Sequence, residues 1–341
     1  MNLFCLFLSN SIVAHAEITG TWGSLNISMN SLDANENIFE FNNPVGRALA
    51  IASNNNLILQ SAGNDDSSNA CNKGYSFDNS IAYPWDGIML IGGIERSGGR
   101  ATSDQVRFHN SGALNYVGAS NYGPCVELWA PSKQITSIRF KTNQTQVLSG
   151  TSFAAPITAA ISARYGSNTT RPLEREWFIK NSSRHTGYYA AGIPIKSVHW
   201  KNNQANTLTR HIIRSIWSPQ NNNNINMLYD GAYQSAWNAG TNSGRIIIDL
   251  GEEKGVKFIR VTPRSSVPLQ NNSPIYFSIA PTNSSNGSHA TGPIQTFSQH
   301  KHGDRAPITI PLNNMHTRYI ILNGHNYGSW LAYSEVEVYG Q

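Results

Sequence analysis

The sequence predicts two folded units of different class, an α/β unit with a parallel sheet followed by an all-β sandwich. The first observation is the order strand, helix, strand, formed by Gly23–Met29, Val45–Ser53 and Leu57–Leu59. That order is typical of a βαβ unit, whose polar sites form at the carboxyl ends of the strands. The second observation is a series of short alternating segments after Arg210, separated by loops of Asn, Ser, Gly and Pro. Such alternation is typical of a β-sandwich.

The composition is that of an ordinary globular protein. Of the 341 residues, 39% are hydrophobic and 13% are charged, and the formal net charge is +5. No run of basic residues accompanies this charge, so nucleic acid is not expected as a partner. No stretch reaches the ~18 apolar residues that a membrane span needs, so no transmembrane segment is expected.

The first 21 residues allow two interpretations. Leu3–Leu8 is a short apolar run, and Ala14-His15-Ala16 has the form of a signal-peptidase site. A weak signal peptide and an arbitrary start of the chain explain this stretch equally well. The predicted boundaries are 1–21 for this stretch, 22–200 for the α/β unit, 201–211 for a polar linker and 212–341 for the sandwich.

The stretch Leu148–Pro156 carries the chemistry of the first unit. Thr151 and Ser152 suit a helix N-terminus, and the alanines after them let the helix lie close to other backbone. A serine at that position points its hydroxyl at N–H donors that stabilise a negative oxygen, as acyl transfer requires. A serine that only caps a buried helix is the alternative.

The motif Gly-Thr-Ser-x-Ala-x-Pro around Ser152 resembles the nucleophile motif of the subtilisin-like serine proteases. Ala62-Gly63-Asn64 and Ser120–Pro131 are similar to segments of the proteinase K and aqualysin branch, and the resemblance runs from Trp22 to Val198. It implies part of a subtilisin-like parallel sheet with flanking helices, Ser152 as nucleophile and the Asn64 amide in the oxyanion hole. Without it, Asn64 would be taken for a turn residue. The implied substrate-binding residues are Ser28, Met29, Asn30 and Gly63.

Cysteine usage favours a disulfide. Cys5 lies in the N-terminal stretch, which leaves Cys71 and Cys125, and two thiolates alone do not make a zinc site. In the proteinase K branch the cysteines at the two matching positions pair, which implies a Cys71–Cys125 disulfide. A disulfide and the family together predict a secreted, extracellular protein.

Two parts of the subtilase pattern are not found. The Asp-Ser/Thr-Gly and His-Gly-Thr-His segments of the triad belong before Gly23, and His15 lacks the glycine context. Asn30 also replaces a glycine of the substrate strand. We therefore expect this chain to be inactive as given, since a serine hydroxyl without a base is a poor nucleophile. An N-terminally truncated fragment, a missing half supplied by another chain and a decayed pseudoprotease are the three explanations.

The second unit resembles a discoidin, or coagulation-factor type C, domain. The similar segments include Leu228–Gly231, Ile259–Arg264 and Glu335–Gly340. The resemblance implies a jelly-roll sandwich related to galactose-binding modules, with Asp230 and Glu335 as tentative ligands of a structural calcium. An Asp-Gly turn and an exposed strand Glu are the alternative for those two residues.

Aromatic residues of the second unit are candidates for ligand binding, because their faces stack on sugar rings. Trp330 and Tyr333 are the main candidates, with Tyr327 and His325 beside them. Core packing is the alternative for each of these four residues, while Trp237 is assigned to the core. The sequence thus predicts a secreted serine endopeptidase that acts on protein or peptide substrates, with a targeting domain for a carbohydrate or cell-surface ligand. A catalytically dead protein that binds carbohydrate or a surface is the alternative, and no catalytic cofactor is expected.

Overall fold

A computed structural model describes residues 5–6, 23–27, 44–72, 85–107, 114–138, 144–165, 170–199, 207–264, 275–299 and 305–341. The chain divides into two compact units. Unit 1 comprises Met1–Glu40 and Asn55–Asn206, and unit 2 comprises Phe41–Asn54 and Thr207–Gln341.

The described helices are α1 (Pro44–Ala52), α2 (Thr151–Arg164) and α3 (Pro172–Ser182). The strands of unit 1 are β1 (Cys5–Leu6), β2 (Gly23–Ile27), β3 (Asn56–Ser61), β4 (Ile88–Ile94), β5 (Asp104–Arg107), β6 (Leu114–Val117), β7 (Val126–Pro131), β8 (Ile135–Ile138), β9 (Thr145–Leu148), β10 (Arg184–Ala190) and β11 (Ile193–Ser197). The strands of unit 2 are β12 (Thr209–His211), β13 (Ser215–Trp217), β14 (Trp237–Asn238), β15 (Ser243–Pro263), β16 (Ile275–Thr282), β17 (Gln295–Gln299), β18 (Ile308–Asn326) and β19 (Ala332–Gly340). None of the described helices has the length and apolar run that crossing a membrane would require.

Unit 1 is built on a sheet of seven strands in the order β1-β2-β3-β4-β7-β11-β10. All its pairings are parallel except the β10–β11 hairpin at one edge. Every residue of β3 and β4 is buried, as is usual for parallel strands covered on both faces. The α/β unit predicted from the sequence is therefore confirmed.

Helix α2 lies against this sheet through small residues. Ala154, Ala155 and Ala159 are fully buried in a core that they share with β3, β4 and β7. At the other end of α2, the buried guanidinium of Arg175 donates from Nη1 to the carbonyls of Ser162 at 2.7 Å and Tyr165 at 2.5 Å. A cation at this end also complements the helix dipole.

Helix α1 groups with unit 2, although the strand–helix–strand order and the predicted boundary of 22–200 place it in the α/β unit. Polar contacts made by the turn after α1 explain this. Asn54 donates to the Arg305 carbonyl at 2.7 Å and accepts from the Thr262 hydroxyl at 2.9 Å. The Arg260 guanidinium donates to the Ser53 carbonyl at 2.8 Å. Strands β2 and β3 are nevertheless parallel neighbours, as predicted.

Unit 2 is an antiparallel sheet of eight strands, and its centre is formed by β15 and β18. Both strands are long, and their pairing shifts register between Asp249 and Lys254. The halves before and after this shift contribute to one core, which contains Ile246 and Ile259 together with residues of β16 and β19. The all-β class of the second unit is confirmed.

Two details of unit 2 differ from the prediction. Thr209–His211 pairs with β19 as strand β12, so the last residues of the predicted linker 201–211 belong to the sheet. The predicted strands Arg245–Gly251 and Lys257–Val261 are one continuous strand, β15. A shift in pairing register lets a strand bend without ending. The alternation of polar and apolar residues in the sequence does not reveal that the strand continues.

A buried group of charges lies beneath the sheet of unit 1. Lys180 donates to Glu127 at 2.7 Å and to Glu176 at 2.6 Å, and Glu176 also accepts the Gly87 N–H at 3.1 Å. Burial raises the pKa of the Glu127 carboxyl to about 7, against the lowering effect of Lys180. Burial, with Glu127 and Glu176 beside it, also holds the pKa of Asp86 well above its usual range. Lys180 is therefore the positive charge beside three carboxyl groups, two of which accept its hydrogen bonds.

We expect unit 1 to become less stable as the pH rises from roughly 5 to 8. A carboxyl with a raised pKa binds its proton more tightly in the folded than in the unfolded chain, so its contribution is present at low pH and is lost as the pH rises through about 7. The measurement is the midpoint of thermal unfolding, followed by tryptophan fluorescence at each pH.

The substitution Glu127→Gln should flatten this pH dependence. Glu95→Gln is the matched control, because a hydrogen bond from Ser97 lowers the pKa of Glu95 and places its titration below this pH range. An unchanged slope in Glu127→Gln, or an equal change in both variants, would contradict the assignment.

Candidate active site

The candidate site lies where β3 ends and α2 begins. Two hydrogen bonds in opposite directions join these elements. The Gly63 N–H donates to the Thr151 hydroxyl at 3.1 Å, and the Thr151 N–H donates to Asn64 Oδ1 at 2.8 Å. Gly63 has a φ of +98°, a conformation that favours glycine. The Asn64 side chain is thus fixed through its oxygen, which leaves its amide nitrogen as the donor side.

Ser152 is the second residue of α2 and directly follows Thr151. The N–H groups of a helix's first turn have no acceptor within the helix and point out of its end. Ser152 is half-buried there, and the residue before it is bonded to Asn64. The structure therefore brings together Ser152, Asn64 and Gly63, which the sequence predicts as nucleophile, oxyanion partner and substrate contact.

The turn before the helix is held by several polar contacts. Gly150, with a φ of +139°, donates its N–H to the Ser132 carbonyl at 2.7 Å. The Ser149 hydroxyl donates to Asp104 Oδ2 at 2.5 Å and accepts the Gln134 N–H at 2.9 Å. Asp104 begins β5, so the β5–β6 hairpin supports the turn that carries Ser152.

Asn121 is a positioning residue that sequence reasoning missed. It is completely buried, and its Nδ2 donates to the Ala62 carbonyl at 2.9 Å. Its Oδ1 accepts the N–H groups of Asp65 and Ser67, each at 2.9 Å. One side chain thus fixes the loop on both sides of Asn64. Its partners lie more than fifty residues away in the chain, so the only local signal is a polar residue within the segment Ser120–Pro131.

Gly118 allows the same loop to lie close to its neighbour. A Cβ atom added there would lie 2.0 Å from the carbonyl oxygen of Asn64. Backbone at that distance leaves no room for any side chain, so the position requires glycine.

Cys71 and Cys125 form a disulfide, with 5.1 Å between their Cα atoms. This is the pair that the resemblance implies. It closes a loop over a sequence separation of 54, which stabilises the folded chain by about 4 kcal/mol on chain-entropy grounds. The closed loop contains Asn121, and it begins seven residues after Asn64.

Several residues named from the sequence lie outside the described part of the chain. Ser28, Met29 and Asn30, the predicted substrate strand, follow directly after β2 and are not described, and neither is His15. Strand β2 itself is the parallel neighbour of β3.

In unit 2, Asp230 and Glu335 lie at one junction between a loop and a strand. The Glu335 carboxylate is buried and accepts the Gly231 N–H at 3.0 Å, while Asp230 Oδ1 accepts the Ala232 N–H at 2.7 Å. Hard carboxylate oxygens of this kind suit calcium. Across the described residues no group of three or more acidic, histidine or cysteine side chains could hold a metal, so a calcium ion here would need backbone carbonyls as further ligands.

The two aromatic ligand candidates of unit 2 have different environments. Trp330 is 61% exposed, so its ring is accessible. The prediction for Tyr333 is wrong, because Tyr333 is 1% exposed and packs between Trp237 and Phe277, with ring centroids 6.0 and 6.3 Å away. Burial also raises the pKa of its phenol. Tyr333 is a core residue, as Trp237 was predicted to be and is.

Comparison with known families identifies a match that covers most of unit 1. The profile described as "Subtilase family" matches residues 21–212. An alkaline extracellular protease of Yarrowia lipolytica is 30% identical over 115 residues. That alignment covers 33% of this chain, and the chain spans about a fifth (22%) of the yeast protein.

Solved structures give weaker matches. A structure titled "Truncated AlyQ with CBM32 and alginate lyase domains" shares 18% identity at a TM-score of 0.32, covering 39% of this chain and 34% of that one. The structure "CpGH89CBM32-6 produced by Clostridium perfringens" shares 19% identity at a TM-score of 0.28, covering 37% of this chain and 93% of that one. TM-scores of this size carry no structural argument.

We expect Asn121→Ala to destabilise unit 1 by about 3 kcal/mol. The substitution removes one buried and two partly buried hydrogen bonds to backbone, and it takes the side-chain partner from two N–H groups and a carbonyl. Thermal or denaturant unfolding measures the loss. Asn69→Ala, an exposed asparagine of the same loop, is the control and should change stability by less than about 0.5 kcal/mol. Equal stability of the two variants would show that Asn121 does not hold the loop.

Proposed function

We propose that this chain is a serine-type endopeptidase with Ser152 as the nucleophile. The chain belongs to the subtilase family, because the family profile matches more than half of its residues. The observation that carries the proposal is the hydrogen bond from the Thr151 N–H to Asn64 Oδ1. This bond supports the proposal because it joins the Asn64 side chain to the residue before Ser152 at a helix N-terminus, where an amide N–H can stabilise the oxyanion of acyl transfer.

In the proposed reaction, the Ser152 hydroxyl attacks the carbonyl carbon of a peptide bond. The carbonyl oxygen becomes negative, and the Asn64 amide and the N–H of Ser152 stabilise it. The positive end of the α2 dipole adds to this stabilisation. Gly63 and the segment Ser28–Asn30 would lie along the extended peptide, whose backbone pairs with a strand.

None of the residues named for this reaction is assigned as the base that removes the proton from the Ser152 hydroxyl. The 22 residues before β2 contain neither an Asp-Ser/Thr-Gly nor a His-Gly-Thr-His motif. In triad enzymes the oxyanion hole and substrate binding alone supply roughly 10³–10⁴-fold catalysis over water, and we propose that a chain without the Asp and His segments retains no more than this. A catalytically inactive protein that binds carbohydrate or a cell surface is the second candidate, supported by the exposed ring of Trp330 on unit 2.

Unit 2 is proposed as the binding part of the protein, with carbohydrate or a cell surface as its target. The exposed rings of Trp330 and Tyr327, 61% and 66% accessible, support this role because aromatic faces stack on sugars. Asp230 and Glu335 are proposed as ligands of a structural calcium, which would fix the loop of residues 230–231 against β19. Secretion is proposed from the disulfide and from the extracellular relative in yeast.

The catalytic proposal predicts a slow acylation by activated esters that depends on Ser152 and Asn64. With a p-nitrophenyl ester, Ser152→Ala should abolish acylation of the chain, whereas hydrolysis supported by the oxyanion hole alone remains, and Asn64→Ala should lower the acylation rate about 10²-fold, the usual effect of losing one oxyanion donor. Asn69→Ala is the control and should react like the wild-type chain. Equal rates in Ser152→Ala and the wild type would overturn the assignment of the nucleophile.

Fluorophosphonate labelling tests the expected lack of a base. Little labelling of the 341-residue chain is expected at neutral pH. Rapid labelling that disappears in Ser152→Ala would show that these residues do supply a base, while leaving the nucleophile assignment intact.

The calcium proposal predicts that millimolar Ca²⁺ raises the unfolding midpoint of unit 2 by about 5 °C, as expected for a ligand well above its dissociation constant. Glu335→Gln should remove this rise, and Glu252→Gln, an exposed carboxylate on β15, should retain it. Differential scanning calorimetry with and without EDTA makes the measurement. A wild-type midpoint that does not respond to Ca²⁺ would contradict the proposal.

A further inference from the structure

Three adjacent strands of unit 2 place a regular array of side chains on the face of the sheet that lies opposite the core. In the pairing of β15, β18 and β16, Ser243, His325 and Tyr276 form one row across the strands. Arg245, Asn323 and Ser278 form the next row. The intervening residues of β15, such as Ile246, point into the core. The array is therefore a property of the strand register and not of a flexible loop.

The polar side chains of this array orient one another. Ser243 Oγ lies 2.5 Å from His325 Nδ1, so the Nε2 side of that ring is turned away from Ser243. Arg245 donates from Nε to Asn323 Oδ1 at 2.8 Å, and Asn323 in turn donates from Nδ2 to Ser278 Oγ at 3.0 Å. Side chains that are held in one conformation lose little entropy on binding a ligand.

Within the part of the chain that the structure describes, the guanidinium of Arg245 has no carboxylate partner. Its other contact is a long one of 3.5 Å, from Nη1 to the Gly287 carbonyl. Among the described residues, no carboxylate forms an ion pair with Arg245. In contrast, Asp249, four residues further along β15 and on the same face, is paired with Arg318. Within the described residues Nη2 of Arg245 has no hydrogen-bond partner, so it can donate to an anionic group.

Aromatic rings form a corner at the end of this array. Tyr327 lies nearly perpendicular to Tyr276, at 76° with ring centroids 5.3 Å apart. It is also nearly perpendicular to His325, at 79° and 4.1 Å. Tyr327 and Tyr276 are 66% and 40% exposed. Two walls at a right angle let one ring stack on the C–H face of a sugar while the other contacts its edge.

We propose that the sheet-face cluster, defined as Arg245, Tyr276, Ser278, Asn323, His325 and Tyr327, binds an oligosaccharide that contains uronic acid. The aromatic corner would hold one sugar ring, and Arg245 would bind a sugar carboxylate with charge-assisted hydrogen bonds. This inference rests on the proposed role of unit 2 in carbohydrate binding. It adds the class of sugar and a surface that extends from Tyr327, on the loop that carries Trp330, onto the strands β15, β16 and β18.

The test is isothermal titration calorimetry of the full chain with an oligogalacturonate, an oligomannuronate and their carboxyl-reduced neutral counterparts. Arg245→Gln should weaken binding of a uronate at least tenfold and leave binding of the neutral counterpart nearly unchanged. Tyr276→Ala should weaken both at least several-fold. Lys254→Gln, which removes one positive charge elsewhere on β15, and Tyr116→Ala, an exposed tyrosine of unit 1, are the matched controls.

The inference is overturned if neither uronate binds, if Arg245→Gln and Tyr276→Ala bind like the wild type, or if Lys254→Gln weakens binding equally. Circular dichroism of each variant separates loss of binding from loss of folding, and Arg245→Lys gives a second, milder substitution that should retain part of the affinity. If Trp330→Ala abolishes saccharide binding while Arg245→Gln and Tyr276→Ala do not, the proposed binding role of unit 2 stands and this site is wrong.

Discussion

The reciprocal pair of hydrogen bonds between Gly63, Asn64 and Thr151 is the interaction on which the candidate active site depends. The backbone N–H of Gly63, after β3, donates to the Thr151 side chain, and the backbone N–H of Thr151, at the start of α2, donates to the Asn64 side chain. The partners are 88 and 87 residues apart in the sequence. Neither bond forms unless β3 and α2 are already packed together. The core made by Leu57, Leu59 and Ala155 therefore sets the distance between an amide and a serine that are far apart in the sequence.

The same packing explains why charges beneath the sheet are tolerated. Parallel strands are buried on both faces, so a polar side chain at their ends must find its partner inside the protein. Glu176 satisfies the Gly87 N–H next to β4 and holds Lys180, which reaches Glu127 on β7. These contacts connect α3 to two strands, at the expense of placing several carboxyl groups close together. Hydrophobic packing and paired charges thus define the position of the sheet jointly.

The sequence was sufficient for the features that depend on local pattern. The strand–helix–strand order, a helix beginning at Thr151 and Ser152, and a buried Trp237 are predicted from the sequence, and the structure contains all three. Features that depend on distant partners were not predictable. Asn121 acts through residues more than fifty positions away, and the turn after α1 bonds to Thr262 and Arg305.

Tyr333 shows why alternation fails in one strand. All nine residues of β19 are buried, so neither face is marked by polar residues, and its pairing with β15 shifts register near Pro263. The sequence pattern there cannot tell an inward ring from an outward one. Trp330 lies on the loop before β19, where exposure does not depend on register, and its ring is exposed.

The contact between Arg175 and the end of α2 has a mechanical consequence. An α-helix is stiff along its axis, and the 14 residues of α2 extend over about 21 Å. One end is anchored to α3 through Arg175, and the other end carries Ser152. The helix therefore links α3 to the turn that carries Ser152. Pro156, four residues after Ser152, has no N–H to donate to the Ser152 carbonyl, which removes one of the bonds that would couple this end to the rest of the helix.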